Sequence, residues 1–341
     1  MEETTMQPFS YIEPRTLDDA LRLAREHPNA RFLAGGTTIV DLMKSGAMRP
    51  SMLIDINRLD ALNDVALDDN GTLHIGALAR MSDVASNDAL RRRAPGLSEA
   101  LLFAASGQLR NMASIGGNLL QRTRCLYFRD RHFPCNKRAP GSGCSALGGE
   151  TRNLAVLGTS EHCIASYPGD FAVMLAALGG FIHVRGPVGE RSIIARDFHS
   201  LPGDTPDVET VLESGELIVG VTVPTGPLTR RSHYLKVRDR SSYEFASVSV
   251  AAALDVSDDG TIREARMALG GLAAKPWYVG PTAECLVGHR WDDQDALERL
   301  ADLALEGARP QPGNAYKVPQ ARAAIVRAFQ TLAERHAGDR S

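Results

Sequence analysis

Residues 31–46, RFLAGGTTIVDLMKSG, hold the pattern from which the fold can be read. A short apolar run ends in two glycines and two threonines, and apolar residues then recur at helical spacing. That order predicts a strand, a tight turn and a helix. Without side chains at Gly35 and Gly36, backbone N–H groups can approach a phosphate, and the hydroxyls of Thr37 and Thr38 add donors. The same residues would also suit a purely structural turn. A second glycine pair occurs in ASIGGNLLQ (113–121), read as the same strand-then-glycine pattern, with Ser114, Gly116, Gly117 and Asn118 placed to meet phosphate or ribose. Two such turns suggest a dinucleotide clamped from two sides.

Outward from these turns the first portion reads as mixed α and β. TLDDALRLAREH (16–27) has a Thr cap, an acidic first turn and an amphipathic stripe, so it predicts a helix. MLIDINRL (52–59) and TLHIGALAR (72–80) read as strands, whereas PGLSEALLFAAS (95–106) and the run 168–179 read as buried helices. Proline and glycine punctuation in VPTGPLTRR (223–231) marks a boundary near residue 227. Beyond it SHYLKVRD, FASVSVAAALDV and TIREARMALGGL read as three antiparallel strands, followed by helices near 282–286, 294–307 and 319–336. The expected divisions are 1–227 and 228–337, the second a smaller α+β unit.

With 341 residues, 43% of them hydrophobic, the chain can fill two cores. Its net charge of -3 comes from mixed charges and gives no global attraction to nucleic acid or an acidic membrane. The N-terminus, Met1-Glu2-Glu3, is unlike a secretory leader, and the longest apolar run, 171–182, is too short to span a bilayer. A cytoplasmic location is expected, or a periplasmic one by export with a partner that bears a signal.

Four of the five cysteines, Cys125, Cys135, Cys144 and Cys163, fall within 39 residues. Their intervals of 9, 8 and 18 residues lack the paired spacing of a zinc ribbon. Four thiolates can hold a [4Fe–4S] cluster or a zinc ion, and disulfides are a third possibility. Six Arg or Lys residues against one Asp in 122–138 would suit an anionic cluster, a solvated face or a docking surface; a single-stranded nucleic-acid site is a weaker reading. Cys285 is expected to be a buried, inert thiol, and no histidine spacing suggests catalysis.

Six motifs, in order, resemble the FAD-binding subunits of molybdopterin dehydrogenases of the xanthine dehydrogenase type: RFLAGGTTIVDLMK, SGQLRNMASIGGNL, SYPGDFAVMLAAL, ESGELIVGVTVP, YLKVRDRSSYEFASVSVAA and ALGGLAAKPW. The resemblance implies an α+β fold, with a two-lobed FAD-binding domain of the PCMH (vanillyl-alcohol-oxidase-like) type and a smaller C-terminal domain. It implies that Arg31, Phe32, Leu33, Ala34, Gly35, Gly36, Thr37, Thr38 and Ile39 wrap the FAD diphosphate. Ser114, Gly116, Gly117, Asn118 and Gln121 would hold its other side; Asp170, Ile218, Lys236 and Phe245 would complete the site. Gly169 replaces the family's usual Ser before Asp170.

The four-cysteine insertion at 122–163 is similar to the [4Fe–4S] loop of the medium subunit of periplasmic aldehyde oxidoreductases, and more distantly to that of 4-hydroxybenzoyl-CoA reductase. The implied role is electron transfer, with no catalytic residue here. A molybdenum-cofactor large subunit and a [2Fe–2S] small subunit would be partners, with an external acceptor. Another molybdenum hydroxylase, a stand-alone flavoprotein oxidase and a zinc-stabilised scaffold are alternative readings.

Overall fold

The computed structural model describes residues 6–338. Three parallel strands, β1 (Ser10–Ile12), β2 (Ala30–Leu33) and β3 (Met52–Asp55), pair in the order β1-β3-β2. The helix Leu17–Glu26 makes the first crossover. Thr16 caps it by accepting from the Asp19 amide, and Asp18 and Asp19 complement its positive end. Its apolar stripe buries Ala20 and Leu21 against Ile54 and Leu78 in a small core.

A second sheet is antiparallel and made of β4 (Val65–Leu67), β5 (Thr72–Gly76), β6 (Phe181–Gly186), β7 (Gly189–Ile194) and β8 (Leu217–Pro224), ordered β4-β5-β8-β6-β7. The helices Pro95–Phe103 and Phe171–Ala177 share its hydrophobic core; all seven residues of the latter are buried. The helix lies between two sheets, which is why it is apolar on every side.

The third sheet pairs β9 (Ser232–Val237), β10 (Val248–Val256) and β11 (Ile262–Gly270) antiparallel, with the two-residue edge strand β12 (Trp277–Tyr278) added to the three expected strands. Strand β10 is an alanine-rich run that does not become a helix, because both faces are claimed with period two. Ala251 and Ala253 join the core around Phe171. Val250, Ala252 and Leu254 face the helices Gln294–Ala304 and Lys317–Gly338. Small side chains on the first face let the buried helix approach closely.

The second glycine pair departs from expectation. ASIGG is not a strand: Ser114 is the N-cap of a helical turn, Ile115–Leu119, and accepts from the Gly117 amide at 3.3 Å. A side-chain cap opposes the low helix propensity of two glycines. The expected buried Cys285 is only half-buried, on a single 3-10 turn, Glu284–Leu286, at the edge of the C-terminal core.

Candidate functional site: a cavity between two glycine turns

Strand β2 delivers Leu33 to the first turn, and the helix Ile39–Lys44 leaves it. Gly36 has φ 72°, a left-handed conformation suited to glycine. Among the described residues, the amides of Gly36, Thr37 and Thr38 donate to no protein acceptor. The turn therefore presents free N–H groups in the manner of an anion nest.

Gly35 has a different task. A Cβ there would stand 1.9 Å from the Met112 carbonyl oxygen, so the missing side chain lets the first turn touch the chain entering the second. Gly116 does the same against Ala77, whose Cβ and O would lie 3.1 and 3.2 Å from an added Cβ. Arg80 ties the junction by donating to Met112 O and, at 3.1 Å, to Asn57 Oδ1; Asn57 in turn donates to Ala34 O at 3.0 Å. These buttresses carry no local signature, and sequence reasoning missed them.

The two turns meet on one cavity of about 540 Å³. Arg31, Phe32, Ala34, Gly35, Gly36, Thr37, Thr38 and Ile39 line one side, and Ser114, Gly116 and Gly117 another. Ile218 closes the far wall with the preceding segment 212–217, which sequence reasoning did not assign to the site.

Other expected residues lie elsewhere. Leu33 points away from the lining and packs near Gly36. Asn118 is buried beneath the turn; its amide nitrogen donates to Met81 S at 3.4 Å, and its Oδ1 has no partner. Gln121 lines an adjoining cavity of about 280 Å³ that shares Arg31, Met48, Leu120, Arg122 and Thr210 with the first. Asp170 and Lys236 form a buried ion pair of 2.8 Å, with Tyr234 Oη donating to Asp170 at 2.8 Å and Lys236 also donating to Phe103 O. Phe245 is largely exposed, and the Arg124 guanidinium lies 4.7 Å from its ring centre.

All five cysteines are free, so none is in a disulfide. Cys125, Cys135 and Cys163 are buried in one small core with Leu42, Tyr127 and Phe128, and Cys144 packs against its edge. Cys135 and Cys144 face each other across an antiparallel bridge. Burial pushes the Cys125 thiol up to about 11, and the neighbouring Cys135 and Cys163 add to the effect. The Cys163 thiol is also raised by burial, against the pull of the Lys137 ammonium. No three His, Cys, Asp or Glu side chains among the described residues converge on a single-ion site.

The basic residues of the insertion are largely internal ties rather than a free face. Arg122 and Lys137 both pair with Glu209, and Arg122 lies over Phe128 at 4.5 Å. Arg138 donates to the carbonyls of Tyr127, Phe128 and Phe133. Arg124 and Arg129 reach Asp41, yet Arg124 Nε and Arg129 Nη1 are buried without a partner.

Residues 7–226 match the family model described as the FAD binding domain in molybdopterin dehydrogenase, and 233–332 match the CO dehydrogenase flavoprotein C-terminal domain. The chain belongs to the molybdopterin dehydrogenase FAD-binding family. Within that family it is 46% identical to the aldehyde oxidoreductase FAD-binding subunit PaoB of Escherichia coli (strain K12), covering 92% of this chain and 94% of the relative. It is 27% identical to the glyceraldehyde dehydrogenase medium chain of Sulfolobus acidocaldarius, over 89% of each chain. A carbon monoxide dehydrogenase chain of Hydrogenophaga pseudoflava shares the fold, with a TM-score of 0.75, 24% identity and coverage of 97% of this chain and 99% of that one. The protein is thus an FAD-binding oxidoreductase subunit of that family.

Proposed function

We propose that this subunit passes electrons between a molybdenum-bearing partner and an external acceptor, holding FAD between its glycine turns and a [4Fe–4S] cluster on Cys125, Cys135, Cys144 and Cys163. The observation that carries the FAD assignment is the meeting of the two turns on one cavity whose floor has free amides. Those groups fit an anionic diphosphate. For the cysteines, support comes from three free thiols in one core with the fourth at its edge, and from two partly buried guanidiniums that each have one buried nitrogen without a partner, which suit an anionic cluster.

Bound FAD supplies two-electron redox chemistry, and an iron–sulfur cluster one-electron chemistry. The chain's own residues bind and orient: Gly36, Thr37 and Thr38 offer donors, Ile218 and Phe32 wall the cavity, and the Asp170–Lys236 pair fixes the strand β9 against the loop at Phe103. No side chain is assigned a catalytic proton transfer.

The working unit is a complex with a molybdenum-cofactor large subunit and a [2Fe–2S] small subunit, as the names of the relatives, subunits and medium chains, suggest. The division at 227/228 belongs to the same reading and agrees with family matches that stop at 226 and resume at 233. No helix among the described residues is long and apolar enough to cross a membrane. The test is cofactor analysis of the complex purified anaerobically and of this chain separated from it: one FAD and about four iron are expected to stay with this chain, and molybdenum with its partner. Stoichiometric zinc in place of iron would defeat the cluster assignment, and absence of flavin the cavity assignment.

A further inference from the structure

The helix Ile39–Lys44 is a wall shared by two sites. Its Ile39 and Leu42 line the cavity between the glycine turns, and Leu42 also belongs to the core that holds Cys125, Cys135 and Cys163. From the same helix Asp41 receives two guanidiniums of the insertion. Arg124, which precedes Cys125, places Nη1 at 3.5 Å from Asp41 Oδ2. Arg129 ends the helical turn that Cys125 opens, with its amide on Cys125 O at 3.2 Å, and its Nη2 bonds the same carboxylate oxygen.

An isolated surface ion pair would contribute little. Here one carboxylate, itself about half exposed, is shared by two guanidiniums that are 30% and 20% exposed, and Arg124 additionally covers the Phe245 ring, so the two cations are held together on one anchor rather than singly. Burial disfavours both charges, and among the described residues Asp41 is the carboxylate that both guanidiniums reach. Asp41 stands five residues after Gly36, so any loosening of the insertion reaches the phosphate turn through one short helix.

We propose that Asp41 is a positioning residue that couples the two sites, so that occupancy of the cysteine site and affinity for FAD rise together. The proposal rests on the cluster reading given above. A coupling of this kind is reciprocal: whatever the filled cysteine site adds to FAD binding, bound FAD returns to the cysteine site. It also differs from coupling through the covalent chain between Asn118 and Cys125, which would survive the loss of Asp41.

The experiment is a double-mutant cycle in the assembled enzyme complex, with Cys135→Ser, Asp41→Asn and both together, reading iron content and the FAD dissociation constant. With Asp41 present, Cys135→Ser should lose about four iron per complex, the partner's iron remaining, and weaken FAD by about tenfold. In the Asp41→Asn background the same cysteine change should alter FAD affinity by less than about twofold. Asp41→Glu should restore the coupling, and Arg124→Gln with Arg129→Gln should reproduce Asp41→Asn, which keeps the test open if one variant folds poorly. Equal weakening in both backgrounds, or none in either, overturns the proposal. Full iron retention in Cys135→Ser instead refutes the ligand assignment, which iron content reports independently of flavin.

Discussion

Gly35→Ala is the sharpest test of the cavity's construction. The added carbon would lie 1.9 Å from Met112 O, 2.7 Å from its carbonyl carbon and 3.1 Å from Ala113 Cα. To reach ordinary contact the second turn must retreat by about 1.5 Å. It cannot do so freely, because Met112 O is held by Arg80, Arg80 by Asn57, and Asn57 by Ala34 on the first turn. Overpacking of this kind costs about 1–3 kcal/mol, more than the few tenths to about 1 kcal/mol that Gly→Ala recovers from the unfolded chain. If the strain falls on the cofactor-bound form, FAD affinity drops about 5- to 150-fold. Flavin fluorescence titration measures the affinity and thermal melting the fold. The obstructing atoms are main-chain, so Met112→Ala should not rescue the variant. A Gly35→Ala protein that binds FAD within twofold of the parent and melts at the same temperature would refute the close contact between the turns.

Gly36→Val should abolish FAD retention while leaving the fold largely intact, because a β-branched residue is strained at φ 72° and its side chain crowds Val40 and Leu33 under the turn, displacing the turn's amides; flavin content after gel filtration checks it. Lys236→Met removes one partner of a buried ion pair and leaves Asp170 with Tyr234 alone; a loss of about 3–5 kcal/mol is expected in denaturant unfolding. His199 is buried beside Tyr167 and its pKa is lowered by burial from 6.5 to about 4, so the unfolded chain takes up a proton that the folded chain refuses. Its contribution is therefore complete above pH 6.5 and about 3 kcal/mol smaller near pH 4, and unfolding of His199→Phe should lack that segment of the pH dependence. Cys285→Ser should leave both iron and flavin unchanged in cofactor analysis, since the thiol lies at the edge of the C-terminal core, away from the other four.

What the sequence makes legible are features whose cause is local. The strand and turn of 31–46 follow from composition and glycine, the helix after Thr16 from its cap and stripe, and β10 from apolar residues too closely spaced for one helical face. The two glycine pairs could be recognised as paired without knowing that they touch. Their contact depends on Met112 and Ala77, residues with no distinguishing type, and on an Arg80–Asn57 bond spanning 23 positions. The turn at 113–117 was misread because a serine cap offsets two poor helix formers, and the cap's partner, Gly117, is itself one of those glycines.

The insertion shows where sequence runs out. Six cations in 17 residues suit an anionic cluster, a solvated face or a docking surface alike, because a charge's role is set by its partner, and the partners lie far away in sequence: Asp41 is 88 positions from Arg129, and Glu209 is 87 from Arg122. With those carboxylates in view, the cations divide. Arg122 and Lys137 anchor the insertion to the segment leading into β8, Arg124 and Arg129 anchor it to the helix leaving the first glycine turn, and Arg138 closes it on its own carbonyls. Both anchored segments border the cavity between the glycine turns, at Thr210 on one side and Ile39 on the other. The insertion is thus fastened beside two walls of that cavity and contributes Arg122 to its lining; of the two fastenings only the one through Asp41 reaches the first glycine turn, and that is the tie the Asp41 double-mutant cycle isolates.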